Sequence, residues 1–270
     1  MAIYGIDLGT TFCSVAYVDR GQPQVVTLEH GRPTLASLVL LTARDGAAAV
    51  VGSDAARRYR ELVGDAERAP DDVVLVRGSK NHMGVGERVL AGPPWSVGGH
   101  ELRATDVGAV ILRALAEMVR VRPGLPPLDG VVITHPQRFR NREKLATAQA
   151  ARMAGLPVVG LITEPDAAAW AYGLRAAEGG ASDRPLTFMV FDFGGGTLDV
   201  TLMKRDAPVG GRQQLHAIDL LFRADRADAL PATLVGLSPT AFESADLDEV
   251  VAVLAGLPDL GVEVAAVVGD

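Results

Sequence analysis

Two short stretches of this 270-residue chain carry residue types suited to holding a phosphate group. The first is Asp7-Leu8-Gly9-Thr10-Thr11-Phe12. The second is Asp192-Phe193-Gly194-Gly195-Gly196-Thr197-Leu198-Asp199. Glycine in a turn lets backbone approach a ligand closely, and successive N–H groups there form a concave nest for anionic oxygens. The hydroxyls of Thr10, Thr11 and Thr197 add donors for the same anion. The carboxylates of Asp7, Asp192 and Asp199 repel a bare phosphate. They make sense around a hard divalent cation, and Mg²⁺ favours carboxylates, water and phosphate oxygens. Two such turns facing each other would clamp a nucleoside di- or triphosphate. Taken singly, either is an ordinary Gly-rich hairpin with aspartate in the turn. Their joint occurrence, each between apolar strands, favours the phosphate reading.

The elements that must position these turns follow from apolar periodicity. Strands are expected at Ala2–Ile6, Cys13–Val18, Gln24–Leu28 and Ser37–Leu41, with turn residues between them, and strands in such a run pair antiparallel. A short helix at Asp54–Leu62 and a strand at Val73–Val76 follow, and residues 78–99 read as loop with a short hairpin. Thr105 is placed to cap a helix whose apolar face is Val107, Val110, Ile111, Ala114, Leu115, Met118 and Val119, and Pro123 stops it. Strand Gly130–Thr134, helix Asn141–Ala154, strand Val158–Ile162 and helix Pro165–Arg175 make an α/β unit, with Pro165 at the first helical position. Glu178–Arg184 is the best boundary. Beyond it, strands at Thr187–Phe191 and Leu198–Met203 repeat the opening pattern, so residues 188–203 echo 3–18. After Lys204, strands at His216–Phe222 and Gly261–Val268 and a helix at Ser244–Leu254 are the remaining candidates.

Composition narrows the class. With 48% hydrophobic and 22% charged residues the chain can bury a core, which excludes disordered and low-complexity classes. A net charge of -7 argues against partners bound by phosphate-backbone neutralisation or by an anionic membrane surface. A single cysteine, Cys13, excludes an internal disulfide and a cysteine zinc cage and suits a reducing compartment. No apolar run reaches the roughly 18–20 residues of a membrane span, and MAIYGIDLGTT lacks a basic leader region. A soluble cytoplasmic protein is expected.

Three segments in order, IDLGTTFCSVAYVD, VVITHPQRFRNREKLATAQAARMAGLPVVGLITEPDAAAWAYGL and VFDFGGGTLDVTL, resemble the phosphate-1, connect-1 and phosphate-2 motifs of the heat shock protein 70 chaperone ATPases, in the actin and sugar-kinase superfamily. The resemblance covers residues 1 to about 203. It implies an α/β, actin-like ATPase (ribonuclease-H-like) fold in two lobes. Residues 1–182 would form lobe I, with an insertion at about 36–105, and residues 183–270 a shortened lobe II. It implies ATP or ADP with Mg²⁺. Asp7 and Asp192 would hold the metal. Gly9, Thr10, Thr11, Phe12, Gly194, Gly195, Gly196 and Thr197 would contact the nucleotide. Lys80, in LVRGSKNHMG, would sit near the γ-phosphate, with Arg77 the fallback. Glu164 would orient water or metal, and Asp199 would take part in proton transfer from the attacking water. Without the resemblance, Lys80 reads as a surface lysine, Glu164 as a helix N-terminal acid, Cys13 as a small buried residue, and His135 as a packing or backbone-bonded residue.

The 71 residues after Asp199 show no counterpart of the adenosine-gripping helix that the resemblance implies, and no peptide-binding domain fits there. The expectation is a weak or partner-dependent ATP hydrolase, with a protein partner or co-chaperone completing lobe II and with no nucleic-acid or membrane partner. Two alternatives stay open: a non-catalytic relic acting as a protein-interaction module, and a small-molecule kinase relative.

Overall fold

The computed structural model describes residues 1–43, 49–64, 72–84, 95–178, 186–193, 198–206, 215–224 and 263–264. They gather into two compact units, Met1–Ile162 and Thr163–Asp270.

The first unit opens with β1 (Ala2–Leu8), β2 (Phe12–Asp19) and β3 (Gln22–Val25), an antiparallel meander, and β4 (Thr34–Ala36) pairs with β2. Next come β5 (Val39–Thr42), β6 (Ala49–Val51), helix α1 (Ser53–Val63), β7 (Val73–Val76), and a hairpin of β8 (Trp95–Val97) and β9 (His100–Leu102). Strands β5, β6 and β7 form their own three-stranded sheet. Helix α2 (Ala104–Arg120), β10 (Leu128–His135), α3 (Asn141–Met153) and β11 (Val158–Thr163) complete the unit. The main sheet runs β11-β10-β1-β2-β3, with β1 parallel to β10.

Period-2 alternation sorts this sheet's faces. Tyr4, Ile6 and Leu8 of β1, Cys13 and Val15 of β2, and Val131 and Ile133 of β10 are buried in one cluster with Ile111, Leu112 and Leu115 of α2 and Ala146, Ala150 and Ala151 of α3. Each fully buried aliphatic side chain there contributes about 1.5–3 kcal/mol. Small residues set the helix spacing. A Cβ on Gly108 of α2 would lie 2.4 Å from Met83 Cε and 3.4 Å from Ala150 Cβ.

Several expectations shift for identifiable reasons. The third strand ends at Val25, because Leu28 turns into a 3₁₀ turn at Glu29–Gly31 with its N–H on Arg32 O at 2.6 Å. The strand expected at Ser37–Leu41 is divided. Ser37 donates its N–H to Thr11 O and Leu38 to Ala36 O, so the chain leaves the main sheet at Ala36 and enters the second at Val39. Thr105 is not the cap of α2. The Arg103 N–H donates to the Asp106 carboxylate at 2.8 Å, the helix starts at Ala104, and Thr105 is buried inside it.

The second unit begins with α4 (Glu164–Glu178). Thr163 caps it, accepting the Asp166 N–H at 3.1 Å and donating its hydroxyl to the Asp166 carboxylate. Pro165 therefore stands second in the helix, not first. The helix packs on β12 (Leu186–Phe193), β13 (Leu198–Arg205) and β14 (Leu215–Ala224), which is why it groups with residues that follow the expected boundary at 182/183. Strand β15 (Glu263–Val264) lies within the expected 261–268 and pairs parallel with β12. The helix expected at Ser244–Leu254 lies outside the described residues. The sheet order is β14-β13-β12-β15. It repeats β3-β2-β1-β10 of the first unit strand for strand: an antiparallel meander with a parallel strand against its first member. Among the described residues, no helix is long and apolar enough to cross a membrane.

Candidate functional site

In the first hairpin Leu8 pairs with Cys13 and Asp7 with Ser14, so Gly9, Thr10, Thr11 and Phe12 form the tip. Gly9 is buried, and the other three are half-buried. Asp7 is the last residue but one of β1, where its carboxylate accepts a hydrogen bond from Thr134 Oγ1 near the end of parallel strand β10. The C-terminal ends of parallel strands are where α/β sheets place ligands. Behind the tip stands Ser37, only 3% exposed. Its hydroxyl donates to Gly9 O at 2.8 Å, its N–H to Thr11 O at 2.7 Å, and its Oγ lies 3.2 Å from Cys13 Sγ.

The turn that carries Lys80 approaches the tip and is tightly held. Gly78 adopts the left-handed conformation (φ 59°), and the Cβ it lacks would lie 3.9 Å from Thr10 Cγ2, so this turn runs against the hairpin tip. The 3₁₀ turn Ser79–His82 follows. Met83, 2% exposed, then fills the notch at Gly108 of α2. Gly84 (φ 70°) abuts the first turn of α3, where an added Cβ would come within 2.8 Å of Glu143 N. Anchored on both sides, Lys80 is 7% exposed, whereas Arg77 is exposed. Lys80 is thus not a surface lysine.

Cys13 is fully enclosed between these groups. Burial pushes its thiol up to about 12, its hydrogen bond with Ser37 opposes this, and the charges of Asp7 and Lys80 act on it with opposite sign. The thiol is a small packed group, as its type suggested. In the first unit Asp7 lies in the hairpin whose tip the Gly78 turn meets at Thr10, and Lys80 follows in that turn. His135, 3% exposed, places Nδ1 2.9 Å from Pro136 O and stacks on Phe139, a packing and backbone-bonded residue.

In the second unit Phe193 pairs with Leu198 and Asp192 with Asp199. The tip itself, Gly194 to Thr197, lies outside the described residues. By register Asp192 takes the place of Asp7, and Asp199 that of Ser14. Glu164 is half-buried and is the first residue of α4, immediately after β11. Two residues beside the first tip escape a reading of the sequence. Thr134 precedes a His-Pro pair that draws attention first, and Ser37 is a lone small polar residue in the apolar run Leu35–Leu41.

Two sheets of the same strand order, each opened by a hairpin with Asp at the end of its first strand, define the actin-like, ribonuclease-H-like ATPase fold. Comparison with known proteins narrows this class. The sequence profile described as Hsp70 protein matches residues 3–209, and the chain belongs to the Hsp70 family. It is similar to the chaperone protein HscA of Cronobacter sakazakii, 36% identical over 214 residues that cover 74% of this chain and 32% of that protein. It is also similar to an HscA homologue of an Azoarcus species, 39% identical over 215 residues, again 74% of this chain and 32% of the relative. The match thus spans about a third of the length of these relatives.

Proposed function

We propose that the chain binds ATP and ADP together with Mg²⁺ and hydrolyses ATP, in the manner of the nucleotide-binding part of an Hsp70 chaperone. The observation that carries this reading is Lys80, a buried lysine in a turn whose Gly78 runs against Thr10 of the hairpin tip that follows Asp7. A lysine beside a Gly-Thr turn is suited to phosphate oxygens. In this reading residues 1–182 serve as lobe I and 183–270 as lobe II, and both hairpins serve one nucleotide.

The donor set fits Mg²⁺. Asp192 and Asp199 are paired in the β12–β13 register, and carboxylates are ligands that this ion favours. Asp7 offers a carboxylate oriented by Thr134. Asp7 and Asp192 would hold the ion, directly or through its water shell. When bound, Mg²⁺ neutralises charge on the phosphates. The chain's own residues do the rest. The backbone of Gly9 to Phe12 and of Gly194 to Thr197 cradles the phosphates, with hydroxyls from Thr10, Thr11 and Thr197. Lys80 holds a γ-phosphate oxygen and stabilises charge there as the bond to the bridging oxygen breaks. Glu164 orients the water that attacks phosphorus, and Asp199 accepts its proton. Phosphoryl transfer needs this positioning and charge compensation more than covalent help from the protein. A cytoplasmic location, and a protein partner or co-chaperone acting with residues 183–270, belong to the same proposal.

Isothermal titration of ATP and ADP into the 270-residue chain, with Mg²⁺ and then with EDTA, tests it. The expected result is Mg²⁺-dependent binding that Asp192→Ala abolishes, with unchanged circular dichroism. No binding at millimolar nucleotide would overturn the proposal and favour the non-catalytic, protein-interacting alternative.

A further inference from the structure

We propose that Ser37 is a positioning residue that sets the hairpin tip into its anion-binding form. The inference deepens the nucleotide reading above and rests on it for the ligand. A planar trans peptide holds its C=O and N–H antiparallel, and none of the described peptide bonds is cis. Ser37 takes both the Gly9 and the Thr11 carbonyls, the first with its hydroxyl at 2.8 Å and the second with its backbone N–H at 2.7 Å. The N–H groups of the same two peptide units, Thr10 and Phe12, are therefore turned away from Ser37. With the Gly9 and Thr11 carbonyls drawn to Ser37, an anion on the other side of the tip would meet the Thr10 and Phe12 N–H groups rather than carbonyl oxygens, and backbone N–H groups gathered in a turn are what an anion site uses.

The arrangement is enclosed and chemically saturated. Ser37 has one hydroxyl proton and gives it to Gly9 O, and Cys13 Sγ lies 3.2 Å from Ser37 Oγ and 3.9 Å from the same Gly9 carbonyl. Cys13, Ser37 and the Gly9 carbonyl thus form one closed cluster, with Cys13 0% and Ser37 3% exposed. Water is kept from competing for the Gly9 carbonyl. The backbone path also fits this role. The chain leaves β2's edge directly after β4 and turns at Ser37 toward β5, so the residue sits at a corner between two sheets. Its N–H extends the β2–β4 register by one step, to Thr11, while its hydroxyl alone reaches across to Gly9.

The test compares Ser37→Ala, Ser37→Thr and Val15→Ala in the full chain. Val15 is buried in the same sheet but lies away from the tip, so its truncation controls for lost stability. The first readout needs no ligand: ¹⁵N relaxation dispersion at the Thr10 and Phe12 amides. Ser37→Ala is expected to introduce exchange at Thr10, and Val15→Ala to leave both amides as in the parent. The second is titration with Mg·ADP, where one lost hydrogen bond corresponds to about a five- to tenfold weaker Kd. Ser37→Thr, which keeps the hydroxyl, is expected to restore the Kd to within about twofold of the parent. Unmoved tip amides in Ser37→Ala would overturn the inference whether or not nucleotide binds, as would equal weakening by Val15→Ala. A parent chain that binds no nucleotide would overturn the nucleotide reading alone, and the amide measurement would still decide the role of Ser37.

Discussion

Gly84→Ala measures how firmly the Lys80 turn is fixed. The backbone at Gly84 has φ 70°. A side chain in that left-handed region costs about 1–2 kcal/mol. The new Cβ would also lie 2.8 Å from Glu143 N and 2.9 Å from Glu143 Cα. Those are backbone atoms in the first turn of a helix, so no rotamer change relieves the clash. Overpacking of this kind costs about 1–3 kcal/mol. The two together come to about 2–5 kcal/mol, a large share of the 5–15 kcal/mol that holds a typical domain. Gly155→Ala separates them: φ there is 74°, and nothing lies within 4 Å of the missing Cβ, so it carries the conformational cost alone. Urea unfolding of both variants, followed by far-ultraviolet circular dichroism, gives the difference. Gly84→Ala should lose at least about 1 kcal/mol more than Gly155→Ala. Equal losses would refute the packing of this turn against α3, and with it the account of why Lys80 is held.

Two further outcomes follow from the same site. Lys80→Met should abolish ATP turnover in a phosphate-release assay while Arg77→Met, at an exposed position, leaves it within about twofold; the reverse pattern would move the phosphate contact to Arg77. Cys13 holds its proton in the folded chain to about pH 12 against an ordinary value of 9.0. Below pH 9 both states are protonated; above it the unfolded chain sheds the proton and the folded chain keeps it. Stability should therefore fall with rising pH by up to about 1.4 kcal/mol per unit on this account. Cys13→Ala should flatten that alkaline slope in denaturation series at pH 8.5, 9.5 and 10.5, and an unchanged slope would show that the thiol is not enclosed.

What the sequence makes legible here is what local chemistry dictates. The hairpins around Asp7 and Asp192 are marked by apolar strands meeting at glycine and threonine. Helix α2 is marked by a long 3.6-residue period, but its cap lies two residues before Thr105, because Arg103 and Asp106 satisfy the helix start. The corner at Ser37 was invisible, since Leu35 to Leu41 reads as one apolar strand and only the partners of its amides reveal the turn. The burial of Lys80 was equally hidden. It depends on Met83 meeting Gly108 and Gly84 meeting Glu143, contacts 25 and 59 residues apart that no local pattern encodes. Thr134 belongs with these, as its partner Asp7 is 127 residues away.

That last separation has a consequence for how the molecule is made. Strand β1 can close its hairpin with β2 almost as soon as both exist, but its other neighbour, β10, begins at Leu128. During synthesis at roughly 5–20 residues per second, the open edge of β1 waits about 6–24 seconds for that partner. Strand β12 waits likewise for β15, with Phe188 pairing to Glu263. Each half of the fold thus passes through an interval in which an apolar strand offers unpaired amides and carbonyls, the condition that invites association with other chains. The repeated strand order that builds two matching phosphate hairpins also builds this exposure in twice.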